Sequence, residues 1–234
     1  MKTVAIIPAG GSGKRMQEKQ SKQYLLLNGV PVLVHTLRIF QGSPMIDEIF
    51  LIVPEDDVGF VRQSIVEKYG ISKVSRVLPG GRERQDSVRN GINAVINDHD
   101  IVVIHDGVRP FVSEELVHAA ITEASEEDAV AVGVPVKDTI KSVDDHAWVR
   151  ETLDRSGLWL TQTPQVFKRD VIKRAYAIAY EDNYYGTDDA SLVERIGINV
   201  KMIRGSYDNI KITTKDDIIL AEGLIKRLKS ESNA

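Results

Sequence analysis

Hydrophobic and polar positions follow two different periods along this chain. Val4–Ile7, Ile49–Val53, Ile101–Ile104 and Ala129–Val134 are short, continuously apolar runs, the pattern of strands covered on both faces of a parallel sheet. Val74–Leu78 is a weaker run of the same kind. Between these runs the apolar positions fall at helical spacing: Pro31–Phe40, Asp57–Tyr69 closed by Gly70, Gln85–Ile96 with Val88, Ile92, Val95 and Ile96 on one face, and Glu114–Ser125. Strand followed by helix recurs, the pattern of an α/β fold. His35 falls inside the first of these helices and reads as a helix-face or core histidine, not a ligand.

From Pro135 the pattern changes. Lys137–Val143 and Trp148–Leu153 look like two exposed strands joined by Asp144–Ala147, a hairpin inserted at about residues 137–160. A two-stranded hairpin is marginal in water on its own, so it needs the parent domain or a second subunit to lie on. Asp154–Trp159 leads back to the body at Thr161–Gln165. Val166–Tyr180 and Ala190–Ile196 read as helices, the second introduced by Thr187, Asp188 and Asp189. Val200–Ile203 and Asp208–Thr213 read as strands. A final helix runs from Lys215 to about Lys229, with Ile218, Ile219, Ala221, Leu224, Ile225 and Leu228 apolar.

Composition narrows the class. The 234 residues can bury one large core, and residues 1–234 are expected to form a single domain carrying the arm. A net charge of −4 argues against a nucleic-acid partner, so basic clusters serve a small anion. There are no cysteines, hence no thiolate metal site and no cysteine nucleophile; a metal would need oxygen or histidine ligands. The amino terminus lacks a secretory pattern, and no apolar run nears the roughly eighteen residues of a membrane span. A cytoplasmic protein is expected.

Chemistry concentrates in the loops that follow the strands. After Val4–Ile7 the chain reads Pro8-Ala9-Gly10-Gly11-Ser12-Gly13-Lys14-Arg15-Met16. Glycines let backbone N–H groups approach a ligand, and a helix starting near Ser12 to Arg15 would complete an anion site ringed by Lys14, Arg15, Lys19 and Lys22. The plainer reading, a tight turn with solvated basic side chains, fits the glycines equally well. A P-loop is disfavoured because Pro8 stands at the first glycine position and Arg15 where Ser or Thr should hold magnesium. A dinucleotide fingerprint lacks its third glycine and its acid about twenty residues on.

A second glycine loop, Pro79-Gly80-Gly81-Arg82-Glu83-Arg84-Gln85-Asp86-Ser87, also follows a strand, so both loops would open at one carboxyl edge. Gly81, Arg82 and Ser87 are therefore candidates for nucleobase or ribose contacts. His105-Asp106-Gly107-Val108-Arg109-Pro110 follows the clearest strand. Asp106 there could hold a magnesium ion that bridges triphosphate oxygens, or could simply cap the next turn.

The motifs G-G-S-G-K-R-M, S-K-Q-Y, G-G-R-E-R-Q-D-S-V, H-D-G-V-R-P-F, V-K-D-T-I-K, D-R-S-G-L-W, Q-T-P-Q and D-N-I-K-I-T stand in this order across nearly the whole chain. Together they resemble the 2-C-methyl-D-erythritol 4-phosphate cytidylyltransferases of the non-mevalonate isoprenoid pathway. Ribitol-5-phosphate cytidylyltransferases are similar through the first four motifs, and D-R-S-G-L-W separates the two. The resemblance implies a mostly parallel, Rossmann-like nucleotidyltransferase sheet with helices on both faces and a protruding β-arm that dimerises. It implies that the polyol phosphate attacks the α-phosphorus of CTP with Mg2+ as cofactor, so no Ser, Cys or His nucleophile is needed.

Carried over position by position, the resemblance makes Arg15, Lys22 and Lys211 catalytic. Pro8, Ala9, Gly10, Gly11, Gly13, Gly81, Arg82, Ser87 and Gly107 line the CTP site, and Asp106, Arg109, Thr139, Arg155, Thr163 and Lys211 meet the polyol phosphate. Asp106 is the metal ligand, with Asp208 a candidate second one. Some members of that family have an acid where Arg82 stands, so its implied base contact runs through the main chain. A glycosyltransferase is disfavoured because His105-Asp106-Gly107 lacks a D-x-D pair, while a non-catalytic nucleotide-binding module stays open on the basic residues alone.

Overall fold

The computed structural model describes residues 1–10 and 22–231. The strands are as follows: β1 is Thr3–Pro8, the short pair β2 and β3, which the sequence did not suggest, is Leu26–Leu27 and Val30–Pro31, β4 is Glu48–Val53, β5 is Val74–Pro79 and β6 is Ile101–Ile104. β7 is Ala129–Pro135, β8 and β9 of the arm are Lys141–Val143 and Val149–Thr152, β10 is Trp159–Lys168 and β11 is Lys201–Arg204. The main sheet has seven strands in the order β11-β7-β10-β6-β1-β4-β5. All its neighbours are parallel except β10, which runs antiparallel to both β6 and β7.

Alternation along the strands explains the unbroken apolar runs. Val4 and Ile6 of β1 face one core with Phe50 and Ile52 of β4, while Ala5 and Ile7 face the opposite core with Ile49, Leu51 and Val53. The helices α1 (Val32–Gly42), α2 (Val58–Val61) and α4 (Glu114–Glu126) cover the second face. The first face is covered by α3 (Arg84–Ala94), α5 (Arg169–Glu181) and α6 (Asp189–Arg195). The last helix, α7 (Lys215–Glu231), sets Ala221 against Leu27, Val32, Val108 and Ile212. With both faces covered, every residue of a central strand is withdrawn from water.

Several elements differ from expectation. Val166 and Phe167 belong to β10 rather than to α5, because they pair with Val103 and Val102 of β6. Residues 208–213 form no strand: Ile210 N–H closes a turn onto the Asp208 carbonyl, and Ile212 N–H reaches Val108 instead of a neighbouring strand. The stretch expected as one helix over Asp57–Tyr69 begins as a 3-10 turn at Glu55–Asp57 and ends as a π-helical turn at Arg62–Glu67. Pro31 precedes α1 instead of lying in its first turn. Ile96 lies beyond the end of α3 and is exposed, as are Ile219 and Leu228 on α7.

The hairpin forms where expected, with Lys141 opposite Thr152 and Ser142 opposite Glu151. Its apolar side chains are not covered by the chain itself: Val143 is 50%, Trp148 75% and Val149 57% exposed. No helix of the described residues is long and apolar enough to cross a membrane.

Candidate active site

Because β1, β4, β5 and β6 are mutually parallel, the loops after them share one edge. The loop after β1 touches the loop after β6: Gly107 N–H donates to the Pro8 carbonyl at 3.1 Å, and a Cβ on Gly107 would come within 3.0 Å of the Ala9 methyl. Ala9 N–H donates to Ile52 O at 2.7 Å, and Gly10 faces Ser87 across the site edge. Gly11, Gly13 and Arg15 lie outside the described residues, as does the helical turn expected near Ser12 to Arg15. Lys22 begins a short 3-10 turn, Lys22–Tyr24, directly after that stretch.

The second glycine loop is shaped by its own hydrogen bonds. Gly81 N–H donates to Ser87 Oγ at 3.0 Å, and Ser87 Oγ–H donates to the Glu83 carbonyl at 3.1 Å. Glu83 N–H donates to Asp86 Oδ2 at 2.9 Å, half of a capping box that starts α3. Only glycine fits at position 81, since a Cβ there would lie 2.2 Å from the Asp86 Cβ. Ser87 is thus buried within the loop, and its hydroxyl holds the loop's shape. Arg82 is exposed on the rim.

Asp106 stands just beyond β6 at the centre of a charge cluster. Arg84 Nε lies 2.9 Å from its Oδ1, Lys211 Nζ lies 2.8 Å from Oδ2, and Arg109 Nε lies 3.6 Å from Oδ2. Burial by itself would favour the neutral acid, but Arg84, Lys211 and Arg109 outweigh it and hold the carboxyl far below the usual carboxylate range. Asp106 is therefore ionised and acts only as an acceptor. Arg84 remains charged for the reciprocal reason: burial opposes its charge, and Asp189 and Asp106 more than offset that.

Behind the carboxylate runs a chain of neutral hydrogen bonds. Asp106 N–H donates to Thr163 Oγ1 at 3.1 Å. His105 Nε2 lies 3.2 Å from the Arg109 carbonyl, which can only accept, so the proton sits on Nε2 and Nδ1 accepts from the Thr163 hydroxyl at 3.1 Å. Burial pushes the His105 pKa down to about 4, which keeps the ring neutral. Arg109 Nη1 donates to the Asn209 carbonyl at 2.7 Å, and Asn209 Nδ2 donates to Thr163 O at 2.8 Å. The non-strand loop 208–213 thereby presents Lys211 to Asp106.

Thus Thr163 and Lys211 come from distant parts of the chain to hydrogen-bond Asp106, and Arg109, three residues on, pairs with its carboxylate at 3.6 Å. Thr139 and Arg155 do not join them within this chain; both are exposed at the arm, where Arg155 Nη1 donates to the Lys137 carbonyl. Asp208 is paired with Arg227 at 2.5 Å instead of facing Asp106. Among the described residues no group of three or more His, Asp or Glu side chains could hold a metal ion by itself. An ionised carboxylate at a strand end suits a magnesium ion that arrives on a triphosphate, but Lys211 occupies Oδ2 and would have to turn away first.

Arg84, Asp189, His105 and Asn209 were not singled out from the sequence as site residues. Arg84, His105 and Asn209 lie inside the motifs G-G-R-E-R-Q-D-S-V, H-D-G-V-R-P-F and D-N-I-K-I-T, and that membership is the signal that could have found them.

Comparison with known proteins finds matches along nearly the whole chain. The model of the family described as IspD, 2-C-methyl-D-erythritol 4-phosphate cytidylyltransferase, matches residues 3–227. A curated protein of that name from Syntrophus aciditrophicus is 55% identical over 226 residues, covering 97% of both chains. One from Geobacter metallireducens is 48% identical, covering 97% of this chain and 98% of its own. Among solved structures, the 4-diphosphocytidyl-2C-methyl-D-erythritol synthase of Anaerococcus prevotii superposes with a TM-score of 0.85 at 36% identity, covering 96% of each chain. The Francisella tularensis 2-C-methyl-D-erythritol 4-phosphate cytidylyltransferase gives 0.80 at 33%, covering 94% of this chain and 98% of its own. Near-complete overlap in sequence and in fold leads to one assignment: this chain belongs to the 2-C-methyl-D-erythritol 4-phosphate cytidylyltransferase family.

Proposed function

We infer that the chain joins CTP to 2-C-methyl-D-erythritol 4-phosphate, giving 4-diphosphocytidyl-2-C-methyl-D-erythritol and pyrophosphate. The observation that carries this reading is the Asp106 cluster: an ionised acceptor beside Arg109 and Lys211, at the edge where both glycine loops open. In the reaction an oxygen of the polyol phosphate forms a bond to the α-phosphorus. The bond from that phosphorus to the bridging oxygen breaks, and pyrophosphate leaves with the electron pair. The substrate supplies its own nucleophile, so the protein's work is positioning and charge stabilisation.

In this reading Lys211 and Arg109 meet the polyol phosphate, Asp106 accepts from a polyol hydroxyl, and Thr163 keeps Asp106 in place. Arg15 and Lys22 meet the phosphates of CTP, and the backbone at Pro8 to Gly10, Gly81 and Gly107 lines the nucleotide. Magnesium, when bound, neutralises charge on the triphosphate; the triphosphate would hold it together with Asp106. Val143, Trp148 and Val149, exposed on a hairpin that is marginal alone, support a homodimer through the arm. Thr139 and Arg155 then reach the partner's site. Such an enzyme works in the cytoplasm, where nucleoside triphosphates are held.

Pyrophosphate release is measured with CTP, magnesium and either polyol phosphate. Methylerythritol phosphate should give a kcat/KM at least about tenfold above ribitol 5-phosphate, a difference of about 1.4 kcal/mol in transition-state binding. A higher value for ribitol 5-phosphate would assign the wrong substrate, and no release with either would leave a nucleotide-binding module.

A further inference from the structure

We propose that Arg84 is a positioning residue for the reaction: it aims the Asp106 carboxylate at the polyol-phosphate side of the site, while the CTP side is built without it. The proposal rests on the substrates assigned above.

Arg84 is the first residue of α3, and its guanidinium spans two carboxylates from distant elements. Nε lies 2.9 Å from Asp106 Oδ1, and Nη2 lies 2.9 Å from Asp189 Oδ2 at the start of α6. Asp189 is in turn fixed by the Tyr176 hydroxyl at 2.5 Å, and it is 1% exposed. Arg84 is therefore anchored from behind by a carboxylate that cannot reach solvent. Its planar fork leaves Asp106 Oδ1 occupied and Oδ2 turned toward Lys211 and Arg109. A lysine could make one of these contacts but not both, because its ammonium lacks the two-sided fork.

The two residues that follow tie the same segment of chain to α3. Gln85 Nε2 donates to Tyr184 O at 3.0 Å, and its Oε1 accepts from Gly186 N–H at 2.9 Å. Asp86 Oδ1 accepts from the Tyr180 and Tyr185 hydroxyls. Residues 180–189 are thus held on α3 even when Arg84 is changed. The nucleobase loop likewise keeps its bonds among Gly81, Ser87, Glu83 and Asp86, none of which involves Arg84. Among the described residues, Arg84 is the one whose side chain bonds this block to the Asp106 carboxylate.

The test compares Arg84→Met, Arg84→Lys and Asp189→Asn with the wild-type protein. CTP affinity is read by calorimetry without magnesium, so that any metal held by Asp106 does not enter, and steady-state kinetics are read with 2-C-methyl-D-erythritol 4-phosphate as the varied substrate. Arg84→Met should lose about a hundredfold in kcat/KM for the polyol phosphate while its Kd for CTP stays within threefold. Arg84→Lys should recover at least tenfold of that loss, since it restores a cation to Oδ1. Asp189→Asn keeps an acceptor for Arg84 while loosening its anchor, so it should lower Tm and lose less kcat/KM for the polyol phosphate than Arg84→Met, again with its Kd for CTP within threefold. Equal losses in CTP affinity and polyol-phosphate kinetics in the Arg84 variants would make Arg84 a general structural element and overturn the proposal. Equal losses of CTP affinity and polyol-phosphate kinetics in Asp189→Asn would do the same, and this measurement stands even where Arg84→Met fails to fold. A wild-type protein with no activity on methylerythritol phosphate would instead overturn the substrate assignment.

Discussion

Asp106 and the arm tip at Trp148 represent two ways in which this chain treats side chains that water would otherwise solvate. At Asp106 a buried charge is matched within one chain: Arg84, Lys211 and Arg109 surround the carboxylate, and Thr163 and His105 hold the backbone behind it. At the arm, Trp148 is 75% exposed and Val149 57%, and the strand β9 has no face packed on the body. The first region is preorganised before any ligand arrives, which is what electrostatic catalysis requires. The second leaves apolar surface in water, which is what motivates the dimer proposed above. The polar part of the site and the arm therefore differ in how far the chain's own contacts complete each of them.

The largest expected effect lies in the buried region. Asp106→Ala strips the counter-charge from Arg84 and Arg109 and should cost about 3–5 kcal/mol in urea unfolding, besides abolishing turnover. A loss below about 1 kcal/mol would show that these cations are solvated after all and would dissolve the contrast with the arm.

Acid should act on the same region through His105. Its folded pKa, about 4, lies below the roughly 6.5 of an unfolded histidine, so the unfolded chain binds the extra proton between those values. The stability from keeping the ring neutral is fully present above about pH 6.5 and declines as pH falls toward 4, by about 3 kcal/mol at most. Thermal unfolding of His105→Gln should lack that part of the decline. A wild-type and variant that decline in parallel from pH 6.5 to 4.5 would place the ring in contact with water.

Lys22→Ala and Arg15→Ala test the phosphate contacts proposed for these two side chains. Turnover should drop about a hundredfold, or ~2.7 kcal/mol, with unfolding midpoints nearly unchanged. Near-normal pyrophosphate release by either variant would remove the assigned role.

The arm can be tested by pairing an arm variant with a body variant. Co-refolded Arg155→Ala and Lys22→Ala subunits should form heterodimers in which one site is whole and regains activity. Heterodimers that stay inactive would confine Arg155 to its own chain, where it already bonds the Lys137 carbonyl. The smallest effect on folding is expected for Trp148→Lys: within about 0.5 kcal/mol for the monomer, as for other exposed positions. Sedimentation should nevertheless show the dimer dissociating, and an unchanged association state would mean that the arm tip lies outside the interface.

The buried parallel strands were legible because two-sided burial demands unbroken apolar runs, and β1, β4, β6 and β7 meet that demand with Val, Ile, Ala, Leu and Phe. The helices facing them were legible from their spacing, and the arm from the loss of both periods after Pro135. The charged loops at one sheet edge followed from strand direction, so Asp106, Arg109 and the glycine loops could be assigned to one neighbourhood before any coordinates.

Tertiary structure alone decided β10 and the loop 208–213. Gln162, Thr163 and Gln165 are polar yet buried, because Gln162 bonds Ser206 O, Thr163 bonds Asp106 N–H and His105, and Gln165 bonds Asp188 and Ala190 N–H. A periodicity argument reads burial from apolar residues, so it misses a strand whose burial is permitted by hydrogen bonds to partners distant in sequence. Arg84 escaped notice for the same reason: a charged residue at the start of a helix reads as solvated, and only the fold brings two buried carboxylates, Asp106 and Asp189, within 2.9 Å of its guanidinium.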